Sequence, residues 1–194
     1  MRVWLRRIGM MEMETFHAVR FYRNAEMLAN VVAEFVMRGI AAGDAAVIIA
    51  TSSHSAAVER TLISRGIDVH ELRAARRFTV LDAEAVLHEI SVDGMPTAAR
   101  FRAVIVPLLE EAAKRSRSAT VHAYGEMVDV LWKAGRTLAA TRLEILWNSL
   151  RATHKFSLLC GYAMGNFYAD AAIDEICSHH THVMAASGET AVIA

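Results

Sequence analysis

Asp44-Ala-Ala-Val-Ile-Ile-Ala-Thr51 is a nearly unbroken apolar run of strand length. A run of that kind is buried on both faces, as the interior strands of a parallel sheet are. Gly39 and Gly43 punctuate the chain just before it. Upstream, residues 16–22 alternate and are rich in β-formers. Arg23 and Asn24 then lead into residues 25–38, where Leu28, Val31, Val32, Phe35 and Val36 recur at helical spacing. Downstream, Ser52 or Ser53 can cap a helix that carries Ala57, Val58, Leu62 and Ile63 and stops at Gly66.

The alternation continues along the chain. Residues 78–81 read as a short strand, and Asp82 starts a helix that runs through Ile90. Asp93-Gly94-Met95-Pro96 is a turn before a long helix ending near Arg115, and residues 119–124 are the next strand. Gly125 opens a helix with Met127, Val128, Leu131 and Trp132. After Gly135 a further helix carries Leu138, Leu143, Leu146, Trp147 and Leu150, and residues 156–162 form another buried strand. Strands separated by helices, without hairpin dipeptides, predict an α/β fold with a mostly parallel central sheet flanked by helices on both faces.

A chain of 194 residues, 54% of them hydrophobic, is long enough for one substantial core, and nothing in it marks a second folding unit. Residues 1–14 lack periodicity and hold four methionines, Met1, Met10, Met11 and Met13, so they read as a flexible leader. The domain is expected over residues 15–185 and a tail over 186–194. Twenty-one basic residues balance twenty-one acidic ones, which leaves no global field to draw the protein onto nucleic acid or an anionic membrane.

Each hydrophobic stretch is broken by Arg, Glu, Asp or His before it reaches the ~18–20 residues that cross a bilayer. The opening Met1-Arg2-Val3-Trp4-Leu5-Arg6-Arg7 lacks the apolar core, about seven residues or more, of a signal peptide. The only two cysteines, Cys160 on a strand and Cys177 on a helix, make no disulfide framework. These readings predict a soluble cytoplasmic protein with no membrane or nucleic-acid partner of its own.

Ligands of open parallel sheets sit outside the carboxyl ends of the strands, which directs attention to Tyr22, Thr51 with His54, Asp82, Tyr124 with Glu126, and Cys160 with Tyr162. A phosphate-binding protein of this class should carry glycines, a lysine and Ser/Thr at its first strand-to-helix turn. Here that turn reads Phe21-Tyr22-Arg23-Asn24-Ala25, and neither G-x-x-x-x-G-K-[ST] nor G-x-G-x-x-G occurs in the chain. A nucleotide-hydrolysing enzyme is not expected.

Cys160, the best nucleophile candidate, reads first as a small buried hydrophobe. Nine histidines include the cluster Cys177-Ser-His-His-Thr-His182, but its spacing fits no known zinc finger. Further ligands would have to come from distant residues such as His17 or Cys160. No metal and no cofactor are therefore expected. Glu126 is either a carboxylate at the mouth of the crevice or a helix N-terminal carboxylate favoured by the macrodipole. Glu144, on the apolar side of its helix, needs an Arg or His partner if buried. Trp132, Trp147, Tyr162, Phe167 and Tyr168 are core residues or the wall of an apolar pocket.

The stretch Phe35-Val-Met-Arg-Gly-Ile-Ala-Ala-Gly-Asp-Ala-Ala-Val-Ile-Ile-Ala-Thr51, with Leu62-Ile-Ser-Arg-Gly-Ile-Asp68 after it, resembles KaiC-like members of the RecA ATPase superfamily beyond their phosphate loop. Further motifs follow in order: His17-Ala-Val-Arg-Phe-Tyr22, Thr51-Ser-Ser-His54, Tyr124-Gly-Glu-Met-Val128, Leu143-Glu-Ile-Leu-Trp-Asn148, Leu159-Cys-Gly-Tyr162 and His180-Thr-His-Val183. Together, over about residues 15–185, the chain resembles the MEDS domain, the sensory module named for methanogens, methylotrophs and the dichloromethane regulator DcmR.

The resemblance implies a RecA-like domain without the ATPase loop, serving as an input module of bacterial and archaeal signalling that senses small hydrocarbon-type compounds. It marks His17, Tyr22, Thr51, His54, Glu126, Glu144, Cys160, Tyr162 and His180 as family positions. Such domains are often fused to a kinase or DNA-binding output, whereas this sequence ends soon after His180. The expectation is that the chain either signals through a separate protein, a histidine kinase or a transcription regulator, or is a stand-alone relative whose function has drifted.

The leading expectation is a sensory module, possible homo-oligomer included, that binds a small apolar molecule or a partner segment. Its polar contacts would come from His17, Tyr22, His54, Glu126 and Tyr162, with Trp132 and Trp147 as wall or backing. The alternative is a metal- or thiol-dependent enzyme built from Cys160, Glu126 and histidines.

Overall fold

Alternation over the first strand and an asparagine after it set the opening unit. β1 (His17–Tyr22) leads to Asn24, whose side chain accepts from the Glu26 and Met27 amides and caps α1 (Ala25–Ala41). The computed structural model describes residues 15–166, 170–184 and 190–193. The leader read at 1–14, Phe167, Tyr168 and the rest of the tail read at 186–194 lie outside them. β2 (Ala45–Ala50) is buried at every position, as its composition requires.

α2 (Ser52–Ser64), α3 (Val69–Ala74), β3 (Phe78–Asp82) and α4 (Ala83–Ile90) come next. The expected serine cap of α2 is corrected: Thr51 holds the N-cap position, and its hydroxyl bonds Glu126 rather than the helix. Asp82 caps α4 as read, accepting from the Glu84 and Ala85 amides. The turn at Asp93-Gly94 joins β4 (Ser91–Val92) to β5 (Met95–Pro96), an antiparallel pair. Asp93 has φ 48° and Gly94 φ 76°, the two positive values of a two-residue hairpin turn. A hairpin dipeptide is therefore present where none was expected.

The remaining elements are α5 (Ala98–Ala113), β6 (Val121–Gly125), α6 (Met127–Lys133), α7 (Thr137–Arg151) and β7 (Phe156–Ala163). A 3₁₀ turn (Met164–Asn166), α8 (Asp170–Ser178), β8 (His182–Met184) and β9 (Thr190–Val192) complete the described chain. The last of these strands falls within the stretch read as a tail.

The sheet runs β3-β2-β6-β7-β1-β8-β9. Every pairing is parallel except β8 with β9. This order is consistent with the RecA-like core that the resemblance implies. Alternate residues of each strand feed two apolar clusters. Val47 and Ile49 join the side covered by α4, α5, α6 and α7, while Ala46 and Ile48 join the side covered by α1, α2 and α3.

The chain therefore leaves β2 for a helix on one face and leaves the neighbouring β6 for a helix on the other. That is a topological switch point, where α/β sheets place ligands beyond the carboxyl ends of the strands. Among the described residues, no helix is long and apolar enough to cross a membrane.

Candidate functional site

The switch point is occupied by a carboxylate. The Glu126 amide donates to Ile49 O at 2.9 Å, which carries the β2–β6 ladder one residue past β6 and turns the side chain back over the end of β2. Glu126 is buried. Its Oε1 accepts from His54 Nδ1 at 2.6 Å and from Thr51 Oγ1 at 3.2 Å, and its Oε2 accepts from the Thr51 amide at 3.2 Å. Both expectations for this residue hold in part: it takes the N-cap position of α6, yet makes no capping bond, because its oxygens serve β2 and α2 instead.

His54, on the first turn of α2, is partly exposed, as Thr51 is. Together with Ala25, Glu26, Ala29, Ser53 and Ala57 it lines an open groove of about 510 Å³ between α1 and α2. It thus connects a solvent-open surface to a buried carboxylate, an arrangement able to accept a hydrogen bond or proton from a bound molecule.

Tyr22 stands edge-on to the His54 ring at 5.7 Å and donates its hydroxyl to Asp129 Oδ2 at 2.8 Å. Burial and the Asp129 charge raise the Tyr22 phenol far above its ordinary range, so it remains a donor. Asp129, fully buried, also accepts from the Ala163 amide at 3.0 Å and pairs with Lys133 Nζ at 2.6 Å. Tyr22, Thr51, His54 and Glu126 thus gather at one edge of the sheet. Asp129 and Lys133 join them without having been read from sequence; their spacing, three and seven residues after Glu126 on a short helix, was the available signal.

The other candidates form a second, deeper cluster beneath α7. His17 opens β1, Cys160 lies within β7, Glu144 comes from α7 and His180 from the turn between α8 and β8. All four are buried, and their ligating atoms lie within 4.8 Å of one another. His17 Nε2 is 3.3 Å from Cys160 Sγ and 3.3 Å from Glu144 Oε2, and His180 Nε2 is 3.4 Å from Glu144 Oε1. Tyr162 donates its hydroxyl to Glu144 Oε1 at 2.7 Å.

The single crevice expected to hold both His17 and Glu126 is corrected to two adjoining clusters. The reason is geometric: His17 starts its strand, at the opposite end from Tyr22. Of the stretch Cys177-Ser-His-His-Thr-His182, only His180 reaches the deeper cluster. Gly161 lets this part of the sheet close up, since a Cβ there would stand 2.6 Å from Tyr124 Oη.

Burial alone would raise the Glu144 carboxyl, but His180 and His17 beside it and the bond from Tyr162 bring it down to about 2. Burial also lowers His180, to about 4. These two results pull against each other, because a cationic His180 is what would lower Glu144 most. The enclosed ring favours a neutral His180 at pH 7, with Glu144 ionised and held chiefly by its hydrogen bonds. Burial, with Glu144 nearby, pushes the Cys160 thiol well up, the opposite of what a nucleophile requires.

Trp147 packs edge-on against Phe101 at 4.9 Å and tilted against Phe156 at 5.9 Å, in the main core. Trp132 lies edge-on to Tyr162 at 6.0 Å and so backs the deeper cluster. Asn148, one turn beyond Glu144, went unread as a site residue, yet its Oδ1 meets His17 Nδ1 at 2.9 Å.

The family model described as MEthanogen/methylotroph, DcmR Sensory domain matches residues 16–181, and the chain belongs to this MEDS family of sensory domains. Among curated proteins no match is found.

Proposed function

We propose that the protein is a signal-transduction input module whose recognition site is the Glu126 cluster. A small, hydrocarbon-type molecule or a partner segment would enter from the α1–α2 groove, meet His54, and shift the populations of two conformations. The observation that carries this reading is the buried Glu126 at the switch point, joined to the groove by a single partly exposed histidine. The state of the site would be passed to a separate output protein, a histidine kinase or transcription regulator.

A thermal-shift panel of short-chain alcohols, haloalkanes and related compounds tests this. A stabilising compound is expected, and Glu126→Ala should abolish its effect; an unchanged shift in the variant would reject the site.

We read the protein as a non-enzyme. The buried, poorly ionised Cys160 thiol argues against thiol catalysis, and the first strand-to-helix turn argues against nucleotide chemistry. Phosphoryl transfer needs backbone amides and a lysine around the phosphates. Here the Asn24 side chain already takes the Glu26 and Met27 amides, and Glu26 adds a repelling charge. Isothermal titration with Mg-ATP should therefore show no micromolar binding, and a phosphate-release assay no turnover. Saturable binding with turnover lost in Glu126→Gln would restore an ATPase.

A further inference from the structure

The deeper cluster turns the ligating atoms of four buried side chains toward one another. Asn148 Nδ2 donates to His179 O at 2.8 Å, which fixes its amide so that Oδ1 faces His17 Nδ1. An amide oxygen only accepts, so His17 carries its proton on Nδ1. His180 Nδ1 lies 2.7 Å from Ile176 O, a carbonyl that likewise only accepts, so His180 also carries its proton on Nδ1.

With Nδ1 of each ring committed to one of these oxygens, the Nε2 atoms of both rings are turned toward the Glu144 carboxylate. His180 Nε2 is buried and makes no hydrogen bond among the described residues. Tyr162 gives its proton to Glu144 Oε1. Two imidazole nitrogens, a thiol sulfur and a carboxylate oxygen thus converge in one buried space, where a single cation would satisfy all four.

We propose that His17, Glu144, Cys160 and His180 form a closed four-ligand site for a divalent transition metal of the zinc class. Two imidazoles, a thiolate and a carboxylate are ligands zinc takes, and four protein ligands with none left open mark a structural site rather than a catalytic one. Zinc–nitrogen bonds of about 2.0–2.1 Å and zinc–sulfur bonds of about 2.3 Å give tetrahedral edges of roughly 3.3–3.8 Å. His17 Nε2, Cys160 Sγ and Glu144 Oε2 already lie 3.3 to 3.9 Å apart, and the four ligating atoms all lie within 4.8 Å, so an ion would draw the set together by about 1 Å.

The surroundings match as well. Ligating histidines hold their other ring nitrogen on a carbonyl or carboxylate, and ligating carboxylates are themselves hydrogen-bonded. Asn148, Ile176 O and Tyr162 supply those contacts here. The site would staple β1, β7, α7 and the segment leading into β8. It is independent of the molecule the Glu126 cluster binds, so either reading can fail alone.

The test uses tag-free full-length protein purified without added metal. Elemental analysis is expected to find zinc near one per chain. After chelator stripping, titration with cobalt(II) should saturate at one equivalent, with the visible bands of a tetrahedral ion and a near-ultraviolet thiolate-to-cobalt band. Cys160→Ser should lose the thiolate band, and Asn148→Ala should bind cobalt about 10–100-fold more weakly.

Absence of saturable cobalt binding to stripped protein that remains folded by circular dichroism overturns the site. So does a thiolate band that survives in Cys160→Ser, since Cys177 would then be the sulfur ligand. Should a variant not fold, the wild-type titration alone decides.

Discussion

Glu144→Ala is expected to destabilise the protein by about 2–4 kcal/mol, the cost of leaving several buried polar partners without their acceptor. The carboxylate is buried, accepts from Tyr162 and faces two histidine rings that pack against each other at 4.2 Å. Its loss leaves a phenol without an acceptor and opens a cavity against β7. Urea unfolding of wild type and variant, both with chelator present so that no metal contributes, measures the difference. A change under about 1 kcal/mol, the value typical of an exposed ion pair, would mean that Glu144 is not the hub of the cluster.

Asp129→Ala should cost about 2–4 kcal/mol, because three donors converge on a fully buried carboxylate. Tyr22 and the Ala163 amide would lose their acceptor, while Lys133 would keep the Tyr22 hydroxyl and solvent. The change has a local signature: the Ala163 amide, at the end of β7, should lose its protection from hydrogen exchange while the amides of β2 keep theirs. Unaltered protection at Ala163 would show that another group holds the end of β7.

Asp129 also lies next to the deeper cluster, by way of the β7 chain. Ala163, which it holds, follows Tyr162, which holds Glu144. A ligand that disturbed Tyr22 or Asp129 would act on the adjoining residue of the deeper cluster through one peptide unit.

The fold was readable wherever a single physical signal dominated. The run from Ala45 to Ala50 is too apolar to be anything but an interior strand, and Asn24 and Asp82 announce their helices through side chains that take orphan amides. Three features were masked. The Asp93-Gly94 hairpin has strands of only two residues, too short for alternation to show. Val69–Ala74 is a helix of less than two turns, below the length at which periodicity stands out. β8 is three residues long and is held by β1, a partner more than 160 positions away.

The site divides in the same way. Glu126 and His54 were legible because strand ends in a parallel sheet are where ligands bind. Cys160, His17 and His180 were marked by resemblance, but their convergence was not, since no local spacing connects a strand start, a strand interior and a distant turn. Asp129 and Asn148 act through partners brought by the tertiary fold, and the sequence around each looks like an ordinary polar position on a helix.

Native mass spectrometry of wild type and Glu126→Ala, each equilibrated with the same panel of short-chain compounds, tests the central claim most directly. The account predicts a one-to-one adduct on the wild-type chain that is absent from a folded Glu126→Ala. Equal loading of the two proteins, or no adduct on either, would contradict the assignment of the recognition site to the Glu126 cluster.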